Sequence, residues 1–505
     1  MKPKSSLIIL ILLLLFNSCS TRPHTELSNY KRLPEKDLNL FRFRLEQLLN
    51  QPRFQPSHFG IYIMEPTTET VLYSRNAHDL FMPASNMKLI TTAAALSILG
   101  KDYRFKTEFY RDGKIENGVL KGNLYIKGSG DPGISGRYYD GDIDYIFNSW
   151  ADTLRACGIN KIDGDIIGDD SYFSDPDLGY GWEHNDLSYY YAAKTGALSY
   201  NDNCVDLHFI PGDTIGSQAK IIQKPIPGYM TIYNELTTVH PDSQKSIDFI
   251  RIPNTDSVRV KGAIPIDSDT TVDWVTVNEP TDFFLSGFEN VLKEANITFN
   301  RIYDFDDLQN NNYDKRPPYD SLDIIFKHNS VKLDTIVYDL NKVSQNFFAE
   351  NLQKTMGAEI RDKGTNKVGI EVEEDWFESI GIDPSSIFIR DGSGLSRHNL
   401  VTPFQIATIL RTMKYSKNYQ SYKKSLPIGG IDGTLKYRLE GSNAQGHVFA
   451  KTGYVGHVRA LSGYVEAKNG REYIFSILAN HYPTPTSCIN NLQDKIVTLL
   501  YNLDY

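Results

Sequence analysis

Pro83-Ala84-Ser85-Asn86-Met87-Lys88-Leu89 runs on through Ile90 and an alanine-rich stretch to Gly100. The pattern predicts a helix with Ser85 at its start and glycine past its end. From Thr91 to Leu99 the residues are apolar almost all round, which predicts a buried helix. Ser85 and Lys88 are three apart, so they share one face, one turn from each other. A lysine on a buried helix loses hydration, and that lowers its pKa. A neutral amine beside a hydroxyl can take its proton and make a nucleophile. Backbone N–H groups at the helix start can also stabilise an oxyanion.

Alone, serine and lysine at that spacing say little. Ser217…Lys220 and Ser421…Lys424 share it, and a capping serine with a solvated lysine is its bland reading. Two later motifs add weight. Ser344-Gln345-Asn346 stands in a helical pattern that spans Leu340 to Met356. Ser344 could relay a proton to a leaving group, and Asn346 could hold a substrate amide. Lys451-Thr452-Gly453 follows Val448-Phe449-Ala450 on a predicted strand near the C-terminus. A lysine and a hydroxyl there can bind a carboxylate, and glycine lets a backbone lie close along the strand. Lys194-Thr195-Gly196 repeats the third motif in a turn-like setting. Only the trio Ser85, Ser344, Lys451 combines an apolar helix, a helix start and a C-terminal strand in that order.

The rest of the chain narrows the class. Its 505 residues are 40% hydrophobic and 23% charged, ordinary for a globular protein of several domains. A net charge of −9 lacks the basic footprint of a nucleic-acid binder. Gly128-Ser129-Gly130-Asp131-Pro132-Gly133 fits a dinucleotide fingerprint, but Pro132 and the glycines after it predict a loop and no helix. No compact metal motif occurs, and no cofactor is implied. Lys2 and Lys4 precede an apolar run from Leu7 to Phe16, an export signal too short to span a bilayer. Phe16-Asn17-Ser18-Cys19 resembles the lipobox of bacterial lipoproteins, with Phe16 where leucine is usual. The resemblance implies cleavage before Cys19 and a lipid on its sulfur. Cys157, Cys204 and Cys488 remain, an odd number that leaves at least one unpaired.

Along the chain the texture changes twice. Residues 1–19 read as signal peptide and 20–35 as tether. From about Phe105 to Val277 short strand-like runs alternate with Gly, Asp, Asn and Pro, which predicts a mainly β insertion. The expected division is 36–105 and 322–505 for a first domain in two segments, with 106–321 inserted between them.

Pro83 to Leu89 resembles the nucleophile segment of D-alanyl-D-alanine carboxypeptidase/endopeptidases, the low-molecular-mass class C penicillin-binding proteins. Further stretches are similar to that family: Gly128 to Pro132, Asp169-Asp170-Ser171-Tyr172-Phe173, Gly181-Trp182 with Asp186 to Tyr189, Asp391 to Arg397, and Arg459 to Tyr464. The first two motifs stand 259 residues apart (85 to 344) and the last two 107 (344 to 451), which leaves room for that family's large insertion.

The resemblance implies an α/β fold of the serine β-lactamase/DD-peptidase (transpeptidase-like) type. It implies a hydrolase of D-Ala-D-Ala peptides of bacterial peptidoglycan, with β-lactam antibiotics as inhibitors; the export signal and lipobox place it in the periplasm, lipid-anchored to the cell membrane or outer membrane. Ser85, Lys88, Ser344 and Lys451 would be catalytic. Asn346, Thr452 and Gly453 would bind substrate, and the backbone N–H groups of Ser85 and Tyr454 would form the oxyanion hole. Threonine is usual where Tyr454 stands, so the resemblance does not carry over the threonine hydroxyl's contact to the substrate carboxylate. The family's insertion supplies an acid and an aromatic for the amino end of the peptide's diamino acid; by position these would be Asp169 or Asp170 with Phe173, near Arg397. Two rivals stand beside this reading: a β-lactamase or esterase on the same fold, and a non-catalytic wall-binding lipoprotein.

Overall fold

The computed structural model describes residues 34–174, 178–305, 317 and 319–503. The apolar run Leu7–Phe16 and Cys19 lie outside them. Alternation along the strand His58–Glu65 sets the architecture. Phe59, Ile61 and Ile63 face one way, and Tyr62 and Met64 the other. Both faces must therefore be covered by helices. The strand is fourth in an antiparallel five-stranded sheet, ordered Val448–Val455, Val458–Glu466, Glu472–Asn480, His58–Glu65, Thr70–Arg75. On one face, helices Glu35–Leu49 and Thr486–Tyr501 pack Phe41, Leu45, Ile489 and Ile496 against Ile61 and Ile63. On the other lie Met87–Ile98, Leu333–Val343, Asn346–Arg361 and Pro403–Lys414.

The insertion has its own core. A second five-stranded sheet runs Ile302–Asp304, Ile166–Asp169, Leu124–Lys127, Lys106–Arg111, Asp323–Asn329. Among the described residues three three-stranded sheets accompany it: a small one built on Val119–Lys121, and two built on Cys204–Ile210 and Ser257–Pro265, which lie in the chain between Ile166–Asp169 and Ile302–Asp304. Two helices cover the five-stranded sheet, Tyr145–Ala156 and Pro280–Glu294; Phe147, Trp150, Phe284 and Phe288 meet there around Phe109. The first of these helices was not expected from sequence. The strand Asp323–Asn329 falls on the far side of the division expected at 322, yet it pairs with Lys106–Arg111 of the inserted sheet. The chain rejoins the first sheet's helices only after Ser330.

One expected helix is two. The pattern from Leu340 to Met356 is broken at Ser344, which takes a left-handed conformation (φ 65°) and closes Leu333–Val343 before Asn346–Arg361 begins. A non-glycine residue there costs on the order of 1–2 kcal/mol. Ala84, next to Ser85, is also left-handed (φ 47°). These two strained positions flank the same space.

Two glycines let three elements converge on it. A Cβ on Gly453 would stand 2.7 Å from the carbonyl oxygen of Pro83 and 3.2 Å from the nitrogen of Ser85. One on Gly394, itself at φ 86°, would stand 1.9 Å from the carbonyl oxygen of Ala84. Gly453 thus brings the strand against the Ser85 turn, where sequence reasoning expected it to admit substrate. Gly394→Ala should lower the free energy of unfolding by about 2 kcal/mol or more, from positive φ and overpacking together. Urea unfolding checks this, and an unchanged midpoint would show that the Ala84 turn yields freely.

Candidate active site

Ser85, Lys88, Ser344, Asn346 and Lys451 come from three distant parts of the chain and meet at one point. Lys88 is fully buried. Its Nζ lies 3.0 Å from Ser85 Oγ, 2.6 Å from Asn346 Oδ1 and 2.7 Å from the carbonyl oxygen of Ser393. Burial lowers its pKa to about 7, against the nearby charges of Asp391 and Glu350, which raise it. A neutral amine has two N–H groups and one lone pair. Asn346 and Ser393 offer two acceptors, which leaves the lone pair for the serine hydroxyl. That is the geometry of a general base beside its nucleophile.

Across the site, Lys451 Nζ donates to Ser344 Oγ at 2.8 Å and to the carbonyl of Thr452 at 3.0 Å. Lys451 is buried as well. Desolvation first, then the charges of Lys88 and Arg459, hold its pKa well below the ordinary range. Asn86 Nδ2 donates to the carbonyl of Lys451 at 2.9 Å and ties the helix start to the strand. Asn346 is spent differently from the expectation. Its Oδ1 takes Lys88, and its Nδ2 donates to the carbonyl of Tyr191 at 2.7 Å. One amide hydrogen is left for a substrate.

The loop that presents the Ser393 carbonyl is held from beneath by buried carboxylates. Asp391 accepts from the backbone of Gly394 and Ser396, from Asn399 Nδ2, and from Trp182 Nε1 of the insertion. Glu350 accepts from the backbone of Gly392 and Ser393. Burial raises the pKa of Glu350.

These groups open into a cleft of about 490 Å³. Ser85, Ser344, Asn346, Thr452, Tyr454 and Arg397 line it. So do residues given no site role from sequence: Glu183, Asp186, Tyr190 and Tyr191 of the insertion, and Thr434 and Arg459 of the first domain.

A family model described as D-Ala-D-Ala carboxypeptidase 3 (S13) matches residues 42–503. The chain belongs to this family. It is 30% identical over 467 residues to a D-alanyl-D-alanine carboxypeptidase of Actinomadura sp. (strain R39), covering 90% of this chain and 83% of the relative. It is 26% identical to the D-alanyl-D-alanine carboxypeptidase DacB of Haemophilus influenzae, over 86% of this chain and 88% of that one. The fold matches the crystal structure of penicillin binding protein 4 from Haemophilus influenzae with a TM-score of 0.77 at 25% identity, covering 92% of this chain and 99% of the other. The α/β fold expected from sequence, with its additional β sheets, is the observed one. The chain is a serine-type D-Ala-D-Ala carboxypeptidase of the S13 family.

Membership does not place every expected residue. Asp169, Asp170 and Phe173 do not line the cleft. Asp169 is buried and accepts from the Ser171 backbone and the Tyr319 hydroxyl; Asp170 accepts from Thr281. Phe173 packs on Gly130 and Gly364, with Lys354 over its ring at 5.7 Å. All three sit within the insertion or at its seam with the helix Asn346–Arg361. Arg397 does reach the cleft, donating to Glu183 Oε1 at 2.8 Å and to the carbonyl of Gly456 at 3.0 Å. The sequence signal for the missed acids was the stretch Gly181 to Tyr191, where Glu183 and Asp186 precede three tyrosines.

Base strength makes pH the direct probe. If neutral Lys88 is the active form, the second-order rate of Ser85 acylation should fall tenfold per unit below about pH 7 and level off above it. Stopped-flow acylation over pH 5–9 measures this; a rate independent of pH through that range would remove Lys88 as the base.

Proposed function

We propose that this S13 peptidase hydrolyses the D-Ala-D-Ala bond of peptidoglycan stem peptides through an acyl-serine intermediate. The observation that carries the reading is Ser85 held 3.0 Å from a buried lysine whose pKa lies near neutrality. Ser85 Oγ attacks the carbonyl carbon between the two D-alanines as its proton passes to Lys88. The oxyanion takes the backbone N–H groups of Ser85 and Tyr454, which the close approach of Gly453 brings together. Proton return to the leaving amine runs through Ser344, hydrogen-bonded to Lys451. The C–N bond breaks and D-alanine leaves. Water then adds to the ester, gives a proton to Lys88, and frees Ser85.

Thr452 and Arg459 receive the terminal carboxylate. Arg459 stands opposite Tyr454 in the hairpin, lines the cleft and has a guanidinium 5.7 Å from the Tyr454 ring. It supplies charge on the side where Tyr454 lacks a threonine hydroxyl. The acid and aromatic expected for the diamino acid's amine are reassigned to Glu183 and Asp186, with Tyr190 and Tyr191, beside Arg397. Cleavage of cross-links is the same chemistry with a longer leaving group, so DD-endopeptidase activity belongs to the proposal.

Among relatives and neighbours, one is named a penicillin-sensitive carboxypeptidase, and a Haemophilus influenzae homologue was crystallised with a β-lactam. By the same acylation chemistry, β-lactams should trap Ser85 here. Cys19 is proposed to carry the lipid that holds the exported enzyme at the membrane. Among the described residues no helix is long and apolar enough to cross one.

Intact mass after benzylpenicillin treatment, with peptide mapping, tests the nucleophile. A lasting adduct on Ser85, absent in Ser85→Ala, is expected; penicillin consumed without an adduct would favour a β-lactamase. Arg459→Gln should raise KM for a D-Ala-D-Ala peptide about tenfold or more while leaving penicillin acylation less affected, since a charged hydrogen bond is worth about 1.5–3 kcal/mol. An unchanged KM would take Arg459 out of the carboxylate site. Cys19→Ser should move the protein from the membrane fraction to the soluble exported fraction.

A further inference from the structure

A second cavity of about 460 Å³ adjoins the cleft, and Asp186 and Tyr191 line both. Arg251, the last residue of the strand Ser246–Arg251, lines this second cavity and is only 8% exposed. No carboxylate among the described residues lies within 4 Å of its guanidinium. Nη1 donates to Asn278 Oδ1 at 3.3 Å and Nη2 to the carbonyl of Leu187 at 3.4 Å, both long bonds to neutral acceptors.

The surrounding acids are committed elsewhere. Asp256 and Glu279, whose charges reach Arg251 through space, accept from the backbone and the side chain of Asn278. Asp248 takes the Tyr189 hydroxyl at 3.1 Å and Lys261 at 3.4 Å; Asp186 takes the Tyr191 hydroxyl at 3.1 Å. A buried guanidinium without a contacting anion is costly, and its planar fork of donors matches a carboxylate. Lys194 and His184 stand in the same wall.

The segment from Leu187 to Tyr191 connects this cavity to the chemistry. Leu187 accepts from Arg251 at one end, and Tyr191 accepts from Asn346 at the other. Under the proposed function, Thr452 and Arg459 take the departing D-alanine. The acyl part of the peptide then runs along the wall formed by Asp186 and Tyr191. We propose that Arg251 forms a subsite for a free carboxylate of the stem peptide on the N-terminal side of the scissile bond. This rests on the peptidase reading above. Two groups share that chemistry, the α-carboxylate of an isoglutamyl residue and the carboxylate of the diamino acid.

The test uses the mature chain and three synthetic stem pentapeptides: one with both carboxylates free, one with isoglutamine, one with the diamino acid amidated. One amidated peptide should lose about tenfold or more in kcat/KM, mainly through KM, and which one identifies the source. Arg251→Gln should erase that preference to within about twofold while acylating with benzylpenicillin at the wild-type rate; Arg251→Lys should restore part of it. A wild type that cleaves all three equally overturns the subsite whether or not the variants fold. So does a preference that survives in Arg251→Gln. A wild type that is acylated by penicillin yet cleaves none of the peptides overturns the peptidase reading instead.

Discussion

The proposed chemistry depends on keeping Lys88 out of water. In solvent its amine would be protonated at neutral pH and useless as a base. Here a helix buried on every side through Leu96 carries it, and no side-chain carboxylate among the described residues touches it. Its partners are a side-chain amide and a backbone carbonyl, both neutral acceptors. They orient the nitrogen without stabilising its charge as a contacting carboxylate would. Asp391 and Glu350 lie near enough to raise the pKa, but their oxygens are spent on backbone N–H groups. Burial acts on Glu350 as well and favours its neutral form. Desolvation thus moves the base and an acid beneath it towards neutrality together.

That arrangement constrains the backbone around it. Ser393 must offer its carbonyl to Lys88, so its loop is anchored at Asp391, Glu350 and, through Asp391, Trp182 of the insertion. Ser85 and Ser344 must both face the amines, and the chain meets this with left-handed backbone at Ala84 and Ser344. Strain at such positions persists only where surrounding packing over-determines it. The glycines at 394 and 453 permit that packing, because each brings another segment within van der Waals reach of the Pro83–Ser85 turn.

Much of this was legible in sequence. The Ser85 helix and the strand bearing Lys451 follow from periodicity and turn residues, and both are present. The break at Ser344 was not legible, since helical periodicity continues across it and nothing local announces a left-handed serine. The helix Tyr145–Ala156 was missed although Ile146, Phe147, Trp150, Ala151 and Leu154 recur at helical spacing, because it stands among short strand-like runs that read as β. Asp169, Asp170 and Phe173 were expected at the cleft from likeness of order along the chain, which carries no depth. Their partners Thr281, Tyr319, Gly130 and Gly364 come from elsewhere in sequence and draw them into a seam.

The insertion does more than enclose the cleft. Trp182 fastens it to Asp391, Glu183 pairs with Arg397, and the carbonyl of Tyr191 fixes the amide that orients Lys88. One short stretch therefore connects the wall that would meet the substrate to the group that orients the base. The Arg397–Glu183 pair is solvent-exposed on both sides and contributes little to stability by itself. The Asn346–Tyr191 bond is short and part-buried, and Asn346 also accepts from Lys88, so a displacement of the insertion would bear on Lys88 through Asn346. The insertion and the proposed base are thus linked at Tyr191 and Asn346, and the exposed contact beside them, Arg397 with Glu183, lies where a substrate's own charges would bear on it.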